Sequence, residues 1–133
     1  MTIKRHEVRV LAFQALFALN SNPEAEINSV CQEVVAELAP ETEVPAYLLE
    51  LVNGVVTKQA QLDAEIEKYL NNKWSLARLN KTDLLIMRLA AYEILFVEAV
   101  PGKVALNEAL QLAKEFSDDK SRRFINGVLS NLV

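Results

Sequence analysis

Two clusters of cationic side chains lie near the ends of this sequence, although the whole chain carries a formal net charge of −4. The group near the N-terminus comprises Lys4, Arg5, His6 and Arg9. At about 100° per residue, Arg5, His6 and Arg9 share roughly one third of a helix circumference. Such a face offers hydrogen-bond donors and positive charge to phosphate groups. A solubilising helix end has the same composition, and spacing alone favours neither interpretation.

A second group of candidate binding residues lies near the C-terminus, where Arg122 and Arg123 precede Phe124. An unpaired nucleic-acid base can stack on an aromatic ring beside cations, which contributes about 1–3 kcal/mol per base. Phe124 also keeps helical spacing with Val128, which is the pattern of a core residue. The sequence therefore leaves Phe124 with two interpretations, a stacking platform and a member of the core.

Residues that could support catalysis or metal binding are sparse. His6 is the sole histidine and Cys31 the sole cysteine, so a transition-metal site, a nucleophilic triad and an intramolecular disulfide have no support. The three glycines are isolated and cannot form a phosphate-cradling loop. Asp118 and Asp119 are the best candidate carboxylate pair, but adjacent side chains in a polar loop are usually solvated or helix-capping groups and not an acid/base pair. We predict a binding protein with no catalytic residues, no metal and no cofactor.

The elements that must position these groups are predicted to be α-helices. Glycine and proline are few, and apolar residues recur at three- and four-residue spacing from about residue 5 to 20 and in later segments. Gly54 interrupts one such pattern, which predicts either close helix packing or a break. We predict one all-α domain, a compact bundle of six to seven helices. The polar stretch Asn71-Asn72-Lys73 would separate two packed halves, about 1–72 and 73–133.

Helix ends are predicted from capping residues. Asn22 is expected to cap the second helix, with Pro23 in the first helical position. Asn80 or Thr82 is expected to cap the most apolar helix, which should lie at the centre of the bundle. Ser121 is expected to cap the last helix.

The membrane is not an expected partner of this chain. No stretch approaches the ~20 consecutive apolar residues that a membrane span requires. The N-terminal cations lead into a charged segment rather than an apolar signal sequence. We therefore expect a cytoplasmic protein.

Three segments, taken in order, point to a known family. They are Lys4-Arg5-His6-Glu7-Val8-Arg9 followed by Ala12-Phe13-Gln14-Ala15-Leu16-Phe17; Trp74, Arg78-Leu79 and Asp83 followed by Ile86-Met87-Arg88-Leu89-Ala90-Ala91-Tyr92-Glu93; and Val104-Ala105-Leu106-Asn107-Glu108-Ala109-Leu110-Gln111-Leu112-Ala113-Lys114 followed by Phe124-Ile125-Asn126-Gly127-Val128-Leu129. Through these residues, and over essentially its full length, the chain resembles the NusB family of bacterial transcription antitermination factors.

The resemblance implies a two-part helical fold and a non-catalytic role. The partners that it implies are boxA RNA, ribosomal protein NusE and the RNA polymerase antitermination complex. With the cations that flank the matched positions, the expected RNA-binding residues are Lys4, Arg5, His6, Arg9, Arg122, Arg123 and Phe124. Asp83 and Arg88 fall where the family meets NusE. Substituting Arg9 or Phe124 with alanine is expected to weaken RNA binding and leave the fold intact.

The basic motif is thinner here than in many family members, because His6 and Glu7 stand among its cations. Fewer fixed charges predict weaker unaided RNA binding and a greater dependence on NusE. Any contribution from His6 is expected to depend on pH, since its charge changes near pH 6.5.

Two other functions remain open at this point. In the first, the chain is a protein-interaction module or homodimer that sequesters its basic helix and acts in ribosomal RNA maturation. In the second, it is a relative of the NusB-like domain of certain ribosomal-RNA cytosine methyltransferases. The second is disfavoured, since no cofactor-binding segment follows the family motif in this sequence.

Overall fold

The computed structural model describes residues 2–71 and 74–133, and every regular element in these two ranges is helical. The elements are α1 (Arg5–Ser21), α2 (Ile27–Leu38), α3 (Ala46–Thr57), α4 (Gln59–Glu67), a 3₁₀ turn (Leu76–Arg78), α5 (Lys81–Phe96), α6 (Gly102–Phe116) and α7 (Asp119–Leu129). The predicted all-α class is confirmed. No helix in the described ranges is long and apolar enough to cross a membrane.

Helix α5 is the centre of the bundle, as its apolar sequence predicted. Every residue from Asp83 to Glu93 is buried, and α5 packs against α1, α3, α4, α6 and α7. It therefore contacts helices of both predicted halves. Asn72 and Lys73 lie outside the described residues, and the division into two halves stays a prediction. Because this part of α5 is enclosed, its three buried charged residues, Asp83, Arg88 and Glu93, must find partners inside the protein.

The start of α2 differs from the prediction that Asn22 caps it. The backbone N–H of Ala25 donates to the Asn22 carbonyl at 3.1 Å, which closes a turn, and the helix begins only at Ile27. Pro23 is thus not the first helical residue. The turn allows the partly buried Ala25 and Ile27 to pack against the core.

Two further capping predictions have opposite outcomes. The Asn80 side chain accepts a hydrogen bond from the Asp83 backbone N–H at 2.8 Å, so Asn80 caps α5. The prediction that Ser121 caps α7 is wrong, because Asp118 occupies that position and accepts from the Ser121 N–H at 2.8 Å. Ser121 instead lies inside the first turn, where its hydroxyl donates to the buried Asp83 carboxylate at 2.9 Å.

Gly54 permits close packing between α3 and α5. Helix α3 continues through this residue, and a Cβ atom at Gly54 would overlap the Tyr92 ring of α5. Of the two alternatives that the sequence left, close packing is therefore the correct one. The short distance between the helices also brings Tyr47 of α3 within hydrogen-bonding distance of Glu93 on α5.

Candidate nucleic-acid interface

The start of α1 presents two exposed cations, Lys4 at the N-cap position and Arg5 as the first helical residue. The Lys4 backbone N–H donates to the Glu7 carboxylate at 3.1 Å, which satisfies one of the free donors at the helix start. The guanidinium carbon of Arg5 lies 3.9 Å from the centroid of the Tyr47 ring. This cation–π contact uses the face of the guanidinium and leaves its N–H edge able to bind an anion.

His6 is held between two carboxylates of α6. Its Nδ1 lies 2.7 Å from Glu108 Oε2, and its Nε2 lies 2.7 Å from Glu115 Oε1. Only the protonated imidazole carries an N–H on both nitrogens, so these contacts fit the cationic form. The bond to Glu108, with a smaller effect from Glu115, raises the pKa of His6 above its usual value despite the opposing effect of burial.

Arg9 lies in the protein interior, with its side chain 5% exposed. Its Nε donates to Glu93 Oε1 at 2.8 Å and its Nη2 donates to Glu93 Oε2 at 3.0 Å. The Tyr47 hydroxyl donates to the same carboxylate, and Glu108 lies 3.8 Å from Arg9 Nη1. A contact between Arg9 and RNA would have to open this buried pair. The network argues against the expectation that Arg9 can be replaced by alanine without an effect on the fold.

The cations of the N-terminal group are balanced by nearby carboxylates. The four cations are Lys4, Arg5, His6 and Arg9, and the four carboxylates are Glu7, Glu93, Glu108 and Glu115. With His6 protonated, the group as a whole is electrically neutral. Only Lys4 and Arg5 are exposed and form no ion pair within the described residues.

The C-terminal group is more exposed. Arg122 Nε lies 3.6 Å from Asp119 Oδ1 on the surface, an arrangement that contributes little to stability. Arg123 is exposed and has no ion-pair partner in the described ranges. Phe124 is half-buried and packs against the core, yet its ring centroid lies 6.0 Å from that of the exposed Trp74. Both interpretations of Phe124 are compatible with this position.

A surface groove of about 370 Å³ runs beside this aromatic pair. Trp74 and Phe124 line it together with the exposed Lys120, and the capping carboxylate of Asp118 lies at its edge. Its volume lies within the range of roughly 300–1,000 Å³ that is typical of small-ligand sites. Sequence reasoning used Trp74 only as a family marker and missed it as a site residue. The sequence feature that could have identified Trp74 is its position as an aromatic residue within a polar segment that connects two helices.

The two residues expected to meet NusE are both buried. The Asp83 carboxylate accepts from the hydroxyl groups of Ser121 at 2.9 Å and Ser117 at 3.3 Å. Arg88 donates to Asp63 of α4 through Nε at 2.7 Å and Nη2 at 2.9 Å. Both side chains therefore stabilise contacts between helices, and their contact with a partner stays a prediction.

Of the N-terminal basic group, His6 is bonded near the corner between α6 and α7, whereas Arg5 contacts Tyr47, which bonds Glu93 towards the other end of α5. His6 is bonded to Glu115, and Glu115 stands three residues before Asp118, which caps α7. At about 3.8 Å between consecutive Cα atoms, the Cα atoms of Glu115 and Asp118 are at most about 11 Å apart. Helices α1 and α7 both pack against α5 and α6, which fixes this arrangement.

The fold and the candidate site are those of an all-helical protein with exposed cations at the start of α1 and on α7 and with a Trp74–Phe124 ring pair at its surface. The model of the NusB family matches residues 6–133, and the chain belongs to that family. Transcription antitermination protein NusB of Lactiplantibacillus plantarum is 54% identical over 100% of this chain and 96% of its own length. The corresponding protein of Levilactobacillus brevis is 56% identical, over 100% of this chain and 94% of its own length.

Solved structures agree with this assignment. NusB of T. maritima superimposes with a TM-score of 0.87 at 30% identity, covering 99% of this chain and 92% of that chain. A NusB chain in the crystal structure of antitermination factors NusB and NusE in complex with double-stranded RNA gives a TM-score of 0.85 at 28% identity. That match covers 99% of this chain and 97% of the other.

Proposed function

We propose that this protein is a transcription antitermination factor that binds boxA-type RNA together with ribosomal protein NusE. In this role it promotes read-through by RNA polymerase, notably in ribosomal RNA operons. Membership of the NusB family supports the proposal. A structural neighbour that contains NusB, NusE and RNA supports it further.

The observation that carries the proposal is the set of exposed cations at the start of α1 and on α7, together with the Trp74–Phe124 ring pair. Lys4 and Arg5 lie at the start of α1, and Arg123 lies on α7. These three cations would contact phosphates, which gives affinity without sequence selectivity. Trp74 and Phe124 would stack an unpaired base.

The other predicted residues take different roles in the proposal. Arg122 would add to the phosphate contacts on α7, since its surface pair with Asp119 is readily exchanged. Arg9 would act mainly by holding α1 against α5 through Glu93. Asp83 and Arg88 would shape the surface that NusE contacts, because both side chains are already bonded internally.

The proposed role requires no catalytic residue, and we propose that the protein is not an enzyme. Binding of RNA and of NusE neither breaks nor forms a covalent bond, so the role needs neither a metal nor a cofactor. A role on nascent transcripts places the protein in the cytoplasm.

The test is a fluorescence anisotropy titration with a labelled boxA-type RNA and a scrambled RNA, each with and without NusE, at several salt concentrations. We expect selective binding of the boxA-type RNA that tightens when NusE is present. Equal binding of the two RNAs in both conditions would contradict the proposal. A mass that rises with protein concentration, with no competition by RNA, would instead favour the homodimer.

A further inference from the structure

We infer that Glu115 and Glu108 of α6 compete with RNA phosphates for His6 and thereby lower the affinity of the α1 surface for RNA. The inference rests on the proposed function, because it concerns the strength of the same RNA contact. It assigns an affinity-setting role to two carboxylates on a helix that contributes none of the expected RNA contacts.

The geometry leaves His6 no free hydrogen-bond donor. Both ring nitrogens are engaged at 2.7 Å, one by Glu108 and one by Glu115. The side chain has no other polar atom. A phosphate can therefore bind His6 only if one carboxylate withdraws.

The carboxylates also change the local charge. One imidazolium between two carboxylates carries a net charge of −1, so this part of the basic motif repels a phosphate. The charged groups around His6 include Lys4, Arg5, Glu7 and Arg9 at the start of α1 and Glu108 and Glu115 of α6. They also include Glu37 of α2, which lines a second surface groove together with His6 and Glu115. Removal of one carboxylate should both free a donor and remove a repulsive charge.

His6, Glu108 and Glu115 are partly exposed to solvent. The two carboxylates can therefore compete with a phosphate for His6 but do not block it permanently. The side chains of His6, Glu108 and Glu115 are 35%, 24% and 38% exposed. Ion pairs at such positions are weakened by solvent and exchange readily. The expected effect on RNA affinity is therefore a few-fold.

Glu115→Gln is the informative variant, and Glu37→Gln is its matched control. Glu37 lines the same groove and has no hydrogen bond to His6, so both substitutions remove one negative charge from the same region. At about pH 6, below the ordinary histidine pKa of about 6.5, we expect Glu115→Gln to raise RNA affinity roughly two- to fivefold. The slope of log affinity against log salt should become steeper by about 0.7, as for one additional phosphate contact to a single strand. Glu37→Gln should change affinity less than about 1.5-fold, since screening weakens charges that make no direct contact.

A double-mutant cycle with His6→Gln separates competition for His6 from general electrostatics. In the His6→Gln background, Glu115→Gln should have only the small effect of Glu37→Gln. An NMR titration of the single histidine should show a lower pKa in Glu115→Gln than in the wild type, and circular dichroism verifies that each variant is folded.

Four results would overturn the inference. The first is an equal effect of the Glu115 and Glu37 substitutions, and the second is a full effect of Glu115→Gln without His6. The third is that neither the wild type nor any variant binds RNA, with or without NusE, which would overturn the proposed function as well. The fourth is binding by the wild type with no gain in Glu115→Gln, which would overturn the inference alone.

Discussion

Substitution of Arg9 with alanine is expected to destabilise the fold. Loss of one partner from a buried ion pair typically costs about 3–5 kcal/mol, because the remaining charge is left without compensation. Here Glu93 is 1% exposed and would keep one hydrogen bond, from the Tyr47 hydroxyl. We therefore expect a loss near the lower limit, about 3 kcal/mol.

A loss of this size is a large part of the ~5–15 kcal/mol that stabilises a typical domain. For a chain of 133 residues it corresponds to a fall in Tm of roughly 10–15 °C. Urea unfolding followed by circular dichroism, together with a thermal scan, measures both quantities. RNA binding must then be assayed well below the new Tm, so that a folding defect is not mistaken for a lost contact.

The control is the double variant Arg9→Met with Glu93→Gln. It removes both charges and leaves an amide oxygen that can still accept from Tyr47, so it should recover at least half of the lost stability. The reasoning is refuted if Arg9→Ala unfolds within about 1 kcal/mol of the wild type. In that case Arg9 would be free to serve mainly as an RNA contact.

Three further predictions concern packing, pH and stacking. Gly54→Ala should lose about 1–3 kcal/mol in urea unfolding, whereas Gly127→Ala, with open space around its Cβ, should lose nothing. The pKa of His6 is raised in the folded protein, so its ion pairs contribute their full stability below the unfolded pKa of about 6.5. This contribution is lost as pH rises through the pKa of His6 in the folded state. The unfolding free energy should therefore decline over that interval, and a His6→Gln variant should lack this decline. Trp74→Ala should weaken RNA binding about fivefold by anisotropy, and Phe124→Leu, which retains apolar volume, should also weaken it without unfolding the protein; unchanged binding by both variants would exclude stacking at this groove.

The sequence predicted the central helix and the helical class because both depend on local patterns. The apolar residues of α5 continue around the whole circumference, which only a central position accommodates. The bounds of α1 agreed with the prediction within one residue. Capping was harder to predict, because both Asp118 and Ser121 suit a helix start. In the structure Asp118 is the cap, and the Ser121 hydroxyl donates to the buried Asp83 carboxylate instead.

The partners of the α1 cations could not be predicted from spacing. Periodicity placed Arg5, His6 and Arg9 on one face, but the carboxylates that bind two of them come from α5 and α6. Glu93 lies 84 residues beyond Arg9 in the sequence. One feature of the sequence pointed to this pair, since a glutamate within a central, mostly apolar helix requires a buried partner. Which cation fills that place depends on how the helices pack.

The most direct test of the proposed function is terminator read-through in a reconstituted transcription reaction. The reaction would contain RNA polymerase, NusE and this protein, on templates that differ only in an intact or scrambled boxA. The account predicts greater read-through on the intact template. An Arg5→Gln, Arg123→Gln double variant that remains folded should lose this gain. Equal read-through on both templates, or full activity of the double variant, would contradict the account.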